Sequence, residues 1–284
     1  MIEQLLPLGL GFIMFGLGLG LTRDDFRRAL LRPRALLLGL LAQIVLLPLT
    51  AFLLASGLAL SPESAVGLMV LAACPGGVTA GMVTHLARGE TALSISLSAL
   101  TSICAFVTVP VIVGLGFWHF LGEQTAVRIP VGQLAGGLFL VTLLPVSLGL
   151  WLRETDRVTA KTRALVQRLA TGVFALIVLY TFFVQWPTIT AHLPTVGVAC
   201  LLLNVITLST GAALGAVARL DSRARVALAM ECGMQNSALG ITLALSLLAQ
   251  PALAVPSVVY ALLMNITALA VIAWRALRPA RSAA

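Results

Sequence analysis

The sequence is poor in charge. Only 10% of its 284 residues are Asp, Glu, Lys or Arg, against about 25% in a water-soluble domain. A soluble globular fold is thereby excluded. The four cysteines, Cys74, Cys104, Cys200 and Cys232, lie singly inside apolar segments. Lacking metal-ligand or redox spacing, they read as small packing residues. His-Glu-x-x-His is absent, which excludes the commonest zinc-protease signature. The three histidines, His85, His119 and His192, stand near segment ends, so a serine–histidine dyad at membrane depth is excluded. Aspartyl chemistry needs two neighbouring carboxyls, and only one acid lies inside an apolar segment. The chain is not expected to be an enzyme. It also lacks the charge rings and filter repeats of a channel, and any signalling module or low-complexity segment.

Apolar residues make up 60% of the chain, and its mean hydropathy is +1.05. Nine runs are long enough for transmembrane helices. They cover Leu5–Leu21, Ala35–Gly57, Ser64–Ala87, Thr91–Trp118, Pro130–Leu152, Leu169–Trp186, Pro194–Ala218, Val226–Ala249 and Val255–Leu277. Residues 1–284 read as one all-α transmembrane domain without a soluble part. Met1–Gly20 is expected to be a retained first span: Glu3 replaces a basic n-region, and the positive charges follow the apolar run.

The pI near 10.6 would suit nucleic acid, but the basic residues alternate with apolar runs. Seventeen of the 18 Lys and Arg residues fall in every second loop and the tail: Arg23 to Arg34, Arg88, Arg153 to Arg168, Arg219 to Arg225, and Arg275 to Arg281. The opposite loops hold only Arg128. The positive-inside rule then places the N-terminus outside and the C-terminus in the cytoplasm. A multi-pass protein of the cell's inner (plasma) membrane is expected, with lipid and not nucleic acid as its surroundings. Gly16/Gly20, Gly132/Gly136 and Gly211/Gly215 have the GxxxG spacing of close helix packing.

Glu231 is the one charged residue well inside an apolar run. A carboxyl at bilayer depth costs roughly 2.5–3.5 kcal/mol on insertion scales and by default marks an ion path. Gly233, Gln235 and Asn236 follow it. The third run is interrupted by Cys74-Pro75-Gly76-Gly77, where proline removes a donor and glycine adds freedom. The stretch Leu71–Gly76 loosely resembles Leu228–Gly233, sharing L-A-x-x-x-G. The two runs are five apart, so they cross the membrane in opposite directions. Paired broken helices in inverted repeats point to a midplane binding site. Ser94, Ser98 and Thr101 or Ser102 share one helical face. They read either as oxygen ligands facing Glu231 or as hydroxyls bonded back to helix backbone. Gln43, Asn204 and Asn265 are further polar residues inside apolar runs, each alone more often helix–helix glue than ligand.

Four stretches carry a family resemblance: Phe15–Leu19 ahead of Asp25-Phe26, Cys74–Gly77, Leu86–Gly89, and Glu231-Cys232-Gly233-Met234-Gln235-Asn236-Ser237. In these the chain resembles the bile acid:sodium symporter family over nearly its whole length. It is similar to a bacterial nine-helix variant of a ten-helix, two-repeat fold, starting at the second helix. The resemblance implies a core from spans within 35–118 and 194–277, and a panel from spans within 5–21 and 130–186. It implies helix breaks at Pro75, Gly76, Gly77 and Gly233. Sodium would bind Glu231, Gln235 and Gln43 with the carbonyls of Cys232 and Met234, and a second site would use Ser94 and Ser98. Ala80 and Gly81 stand where the family has Ser-Asn, so that second site loses two oxygens. Substrate contacts would fall at Val78, Thr79, Asn236 and Asn265.

The function so implied is sodium-coupled symport of an organic anion, bile-acid-like or a small carboxylate, by alternating access. Sodium is the coupling ion and no cofactor is expected. The alternative is a proton-coupled or sodium-independent anion carrier using the same acid. The identity of the anion and the oligomeric state are not encoded in any motif read here.

Overall fold

Where few polar side chains are available and the surroundings are lipid, each segment must satisfy its own backbone amides, and helices do so. The computed structural model describes residues 2–77, 79–122, 131–184 and 186–277. Val78, Arg128, Pro130, Arg278 and Arg281, which figure in the sequence expectations, lie outside them. The described residues are helical almost throughout, and the one β-bridge is an isolated pair.

In chain order the helices are α1 (Ile2–Gly20), α2 (Arg23–Leu30), α3 (Pro33–Gly57), α4 (Pro62–Ala73), α5 (Ala80–Leu86) and α6 (Thr91–Phe120). Then come α7 (Val131–Leu138, continued through Phe139–Leu143 to Leu144–Glu154), α8 (Ala160–Val184) and α9 (Trp186–Val217). Last are α10 (Ser222–Gly233), α11 (Ser237–Leu247) and α12 (Pro251–Ala276). Among the described residues six runs are long and apolar enough to cross a membrane: Pro33–Gly57, Thr91–Phe120, Leu134–Glu154, Ala160–Val184, Leu193–Val217 and Pro251–Ala276. Leu6–Gly20, Pro62–Ala73 and Ser237–Leu247 are apolar but shorter. Six single helices of spanning length therefore stand where hydropathy alone suggests nine, because the third and eighth runs are split and the first, Leu6–Gly20, is shorter.

Two long helices contain a π turn, Ala42–Leu46 in α3 and Phe139–Leu143 in α7. Each ends just before a proline, Pro48 or Pro145. A proline ring clashes with the carbonyl four residues back and offers no N–H, and widening the turn accommodates it. Helix α2 has no counterpart among the sequence expectations. Thr22 and Asp25 cap its start reciprocally: the Thr22 amide and hydroxyl donate to the Asp25 carboxylate (3.0 and 2.7 Å), and the Asp25 amide returns a bond at 3.2 Å. The stretch Pro187 to Leu193, expected to be a loop, is helical in α9, with Pro194 inside the helix.

Helix α1 packs on α7 and α8, while α9 packs on α10 and α12, and α4 on α6. Gly16 abuts Ala170 and Gly211 abuts the Leu228 carbonyl, as GxxxG packing requires. Gly132 and Gly136 meet nothing among the described residues, so their spacing marks no described helix contact.

Candidate cation and anion site

Helix α4 stops where Cys74 turns extended (φ −68°, ψ 148°), the conformation favoured before a proline. Helix α10 runs through Gly233 and stops at Met234 (φ −105°, ψ 95°). This corrects the expected break at Gly233: that residue is helical, and a Cβ there would strike the Leu208 side chain. Gly233 is needed for close packing, and the break begins one residue later. The two breaks then satisfy each other. The Gly77 amide donates to the Met234 carbonyl (2.6 Å) and the Asn236 amide to the Pro75 carbonyl (3.0 Å). Gly76 and Gln235 thus form an isolated antiparallel bridge, and the backbone groups freed by both interruptions find partners in each other.

Against this crossing lies Glu231, fully buried. The Ser94 hydroxyl donates to one carboxylate oxygen (2.7 Å) and the Ser98 hydroxyl to the other (2.6 Å). Both serines come from one face of α6, as their spacing predicts. Thr101 and Ser102 instead bond back to helix carbonyls at Leu97 and Ser98. Gly76 has to be glycine because a Cβ would land on Glu231 Oε1. Gln43, in the π turn of α3, donates from Nε2 to the Glu231 carbonyl (2.6 Å) and accepts from Gln235 Nε2 (3.1 Å). Gln235 also donates to the Cys232 carbonyl (3.0 Å). Its Oε1 is buried and has no hydrogen-bond partner among the described residues. Nor does any Lys or Arg lie within ion-pair distance of Glu231 there. The cluster combines a buried carboxyl and an orphaned amide oxygen with hydroxyl and carbonyl oxygens and the two glutamine Nε2 groups. A hard monovalent cation fits that donor set.

A narrow cleft adjoins the crossing. Thr79, Gln235 and Asn236 line it from one side, and Ile13 of α1 with Ala170 and Phe174 of α8 from the other. Its volume, about 10 Å³, is room for roughly one water. Asn236 Oδ1 caps α11 on the Leu239 amide (3.1 Å). Asn265 does not line the cleft and donates to the Ala261 carbonyl of its own helix (2.6 Å). Sequence reasoning picked out Asn204 as a polar residue in an apolar run but missed its neighbour Tyr260. The Tyr260 hydroxyl and Asn204 Nδ2 both donate to the Gly233 carbonyl (3.0 and 2.8 Å). Tyr260 is one of only two tyrosines, and its place in an apolar helix was the available signal.

At the arginine-rich end one guanidinium joins the helices that carry these groups. Arg32, preceding α3, bonds Glu90 ahead of α6 (2.8 Å) and Asp221, the cap of α10 (2.5 Å). Burial raises the Glu90 pKa against the pull of Arg32. Burial pushes Asp221 upward too, but the Ala224 amide and Arg32 outweigh it and the pKa falls below the usual value. Asp221 raises the Arg32 pKa in turn.

The geometry defines an all-α, multi-pass membrane protein with a buried carboxylate at a crossing of two interrupted helices. The Sodium Bile acid symporter family model matches residues 7–191. The uncharacterized sodium-dependent transporter YocS of Bacillus subtilis is 32% identical over 94% of this chain and 81% of its own length. The probable sodium/metabolite cotransporter BASS1 of Arabidopsis thaliana chloroplasts is 32% identical over 88% of this chain and 61% of its own. A human sodium-dependent organic anion transporter is 29% identical over 60% of this chain and 44% of its own. The chain belongs to the sodium bile acid symporter family. It spans less than two thirds of the plant and human relatives' lengths.

Proposed function

We propose that this chain is a secondary active transporter that couples sodium entry to symport of an organic anion by alternating access. The observation that carries the reading is Glu231, a buried carboxylate that has no cationic partner among the described residues and lies beside Gln235 Oε1, likewise unpartnered among them. Sodium at this point neutralises the carboxylate and bridges it to Gln235 and Gln43, with the Cys232 and Met234 carbonyls held at the same rim. Ser94 and Ser98 orient the carboxylate. Ala80 and Gly81 offer no side-chain oxygen on the facing segment, so one sodium ion is the simpler stoichiometry. The anion binds in the cleft at Thr79 and Asn236, with Val78 adjoining in sequence, next to the bound cation. Asn265 joins it only if α12 turns.

A cleft with room for one water does not admit an organic anion, so the panel carrying α1, α7 and α8 has to withdraw from the core. The core comprises spans within 35–118 and 194–277. Two helix–break–helix units, α4–α5 and α10–α11, support nine crossings in an inverted repeat, as in the nine-helix bacterial form. The charge distribution supports an outer N-terminus and a cytoplasmic C-terminus in the inner membrane. No chemistry beyond transport is required of these residues.

The test is uptake of carboxylated and sulfonated organic anions into proteoliposomes under an inward sodium gradient. At least one is expected to accumulate with sodium and not with potassium, and Glu231→Ala is expected to abolish that uptake. Accumulation that is indifferent to sodium and survives the substitution rejects the reading. Uptake that follows pH instead of sodium and is lost in the variant assigns proton coupling to the same acid.

A further inference from the structure

Among the described residues, two arginines at the charged end have no acidic partner. Arg225 donates from Nε to the Leu220 carbonyl (2.7 Å). Arg275 donates from Nε to the Ala87 carbonyl (3.3 Å) and from Nη1 to the Ser222 hydroxyl (3.1 Å). Among the described residues neither has a carboxylate within ion-pair distance. Neutral acceptors hold each guanidinium in place without cancelling its charge. A guanidinium has five N–H donors, so each keeps several for an anion.

Both arginines open onto one groove of about 590 Å³ between α9, α10 and α12. Apart from Ser209 and Ser222, the rest of its lining is apolar, with Leu208, Ala212 and Val226 prominent. Trp274 stands half exposed at the rim beside Arg275. An indole at that level is typical of the membrane–water interface. A free phosphate would use the arginines and leave the trough without an occupant. A zwitterionic lipid would fill the trough, but its own ammonium would oppose the two guanidiniums. An anionic phospholipid satisfies both halves, and basic pockets between helices bind such headgroups.

We propose that this groove holds one anionic phospholipid, its phosphate on Arg225 and Arg275 and an acyl chain along Leu208 and Val226. The inner end of the groove reaches Met230, next to Glu231, and Leu208 fills the space beside Gly233. The lipid tail therefore packs on the helix that carries the buried carboxylate. The site is independent of which solute the protein moves.

The test is native mass spectrometry of the purified full chain in mild detergent, with phosphatidylglycerol or phosphatidylcholine added in equal amounts. A single phosphatidylglycerol adduct is expected to survive activation, in preference to phosphatidylcholine. Retention is expected to fall about fivefold for each arginine removed in Arg225→Gln and Arg275→Gln. Ala212→Phe fills the trough and leaves both arginines in place. It is expected to lose the adduct while eluting as a single species, and it decides the matter if the arginine variants do not fold. Equal retention of the two lipids overturns the proposal, as does undiminished phosphatidylglycerol binding in Ala212→Phe or in the double arginine variant. Thermal stabilisation by inorganic phosphate equal to that by phosphatidylglycerol overturns the lipid in favour of a soluble anion.

Discussion

Glu231 is held by its neighbours without being neutralised by them. Two hydroxyls orient it, an amide fixes its carbonyl, and glycine at position 76 leaves the space its Oε1 occupies. The two α6 serines and the two hydroxyls that follow share a helical face but differ in use. Ser98→Ala removes a hydrogen bond to a charged group, a change of about 1.5–3 kcal/mol. Half-saturating sodium is therefore expected to rise at least about tenfold in a sodium titration of thermal stability. Thr101→Val and Ser102→Ala, whose hydroxyls only return to their own helix, are expected to leave that titration unchanged. An equal shift in all three variants would remove the distinction drawn here. The acid and the shared face of both serines are readable from residue type and spacing, whereas Gln43 joins them only through the family resemblance. Tyr260 is readable from neither: a single hydroxyl in an apolar helix carries no periodic signal, and its bond to Gly233 exists only once α9, α10 and α12 have packed.

At the scale of elements, the interruptions place the chemistry. The Pro75-Gly76-Gly77 break is legible because proline and glycine act locally. The π turn that carries Gln43 is signalled only by Pro48, a single residue that does not interrupt the apolar run. Pro48→Ala is expected to let the turn revert to α geometry and rotate Gln43 by up to about 100°, one residue's step. Sodium affinity should fall while thermal stability without sodium holds or rises; unchanged affinity would detach the π turn from the site.

The Arg32 clip joins the starts of α3, α6 and α10 and sets a pH dependence. Asp221, with its pKa lowered in the fold, stabilises above its unfolded value and loses that contribution as pH falls through the folded one. Glu90, with its pKa raised by burial, acts in the opposite sense and favours the fold when protonated. Arg32→Gln strands both carboxylates. Its deficit against the parent is expected to be largest near pH ~7 and to narrow toward pH ~4 as Glu90 protonates, while Asp221, held below its usual value, stays ionised in the parent until lower pH. Side-chain exposures of 46% for Arg32 and 51% for Asp221 keep that deficit to about 1 kcal/mol. Thermal midpoints of both proteins across that range check it, and a deficit that widens on acidification contradicts the assignment.

Over the whole molecule, the proposed panel and core meet at the cleft. In one, α1 and α7 approach so closely that a Cβ on Gly18 would collide with the Val146 carbonyl, and one on Gly149 with the Phe15 carbonyl. In the other, the paired breaks are bonded to each other and to the polar cluster. Among the described residues the cleft between them has a water-sized volume, so in the proposed transport cycle movement of one against the other is the step that admits solute. Composition and apolar run length make the helical membrane class legible. Run length overestimates single spanning helices, because a broken crossing and an unbroken one have the same hydropathy. The short amphipathic α2 escapes a reading tuned to long apolar runs, although Thr22 and Asp25 carry its capping signal.

The central claim is that sodium binds at Glu231. It is tested most directly by the thermal midpoint of the purified protein titrated with sodium against potassium at constant ionic strength, for the parent chain and Glu231→Gln. A ligand bound only by the native state stabilises by mass action, about 2.7 kcal/mol at one hundred times its dissociation constant. The account predicts a sodium-specific rise in the parent and a flat response in the variant. A sodium-specific rise that persists in Glu231→Gln, or a parent that answers equally to potassium, would contradict it.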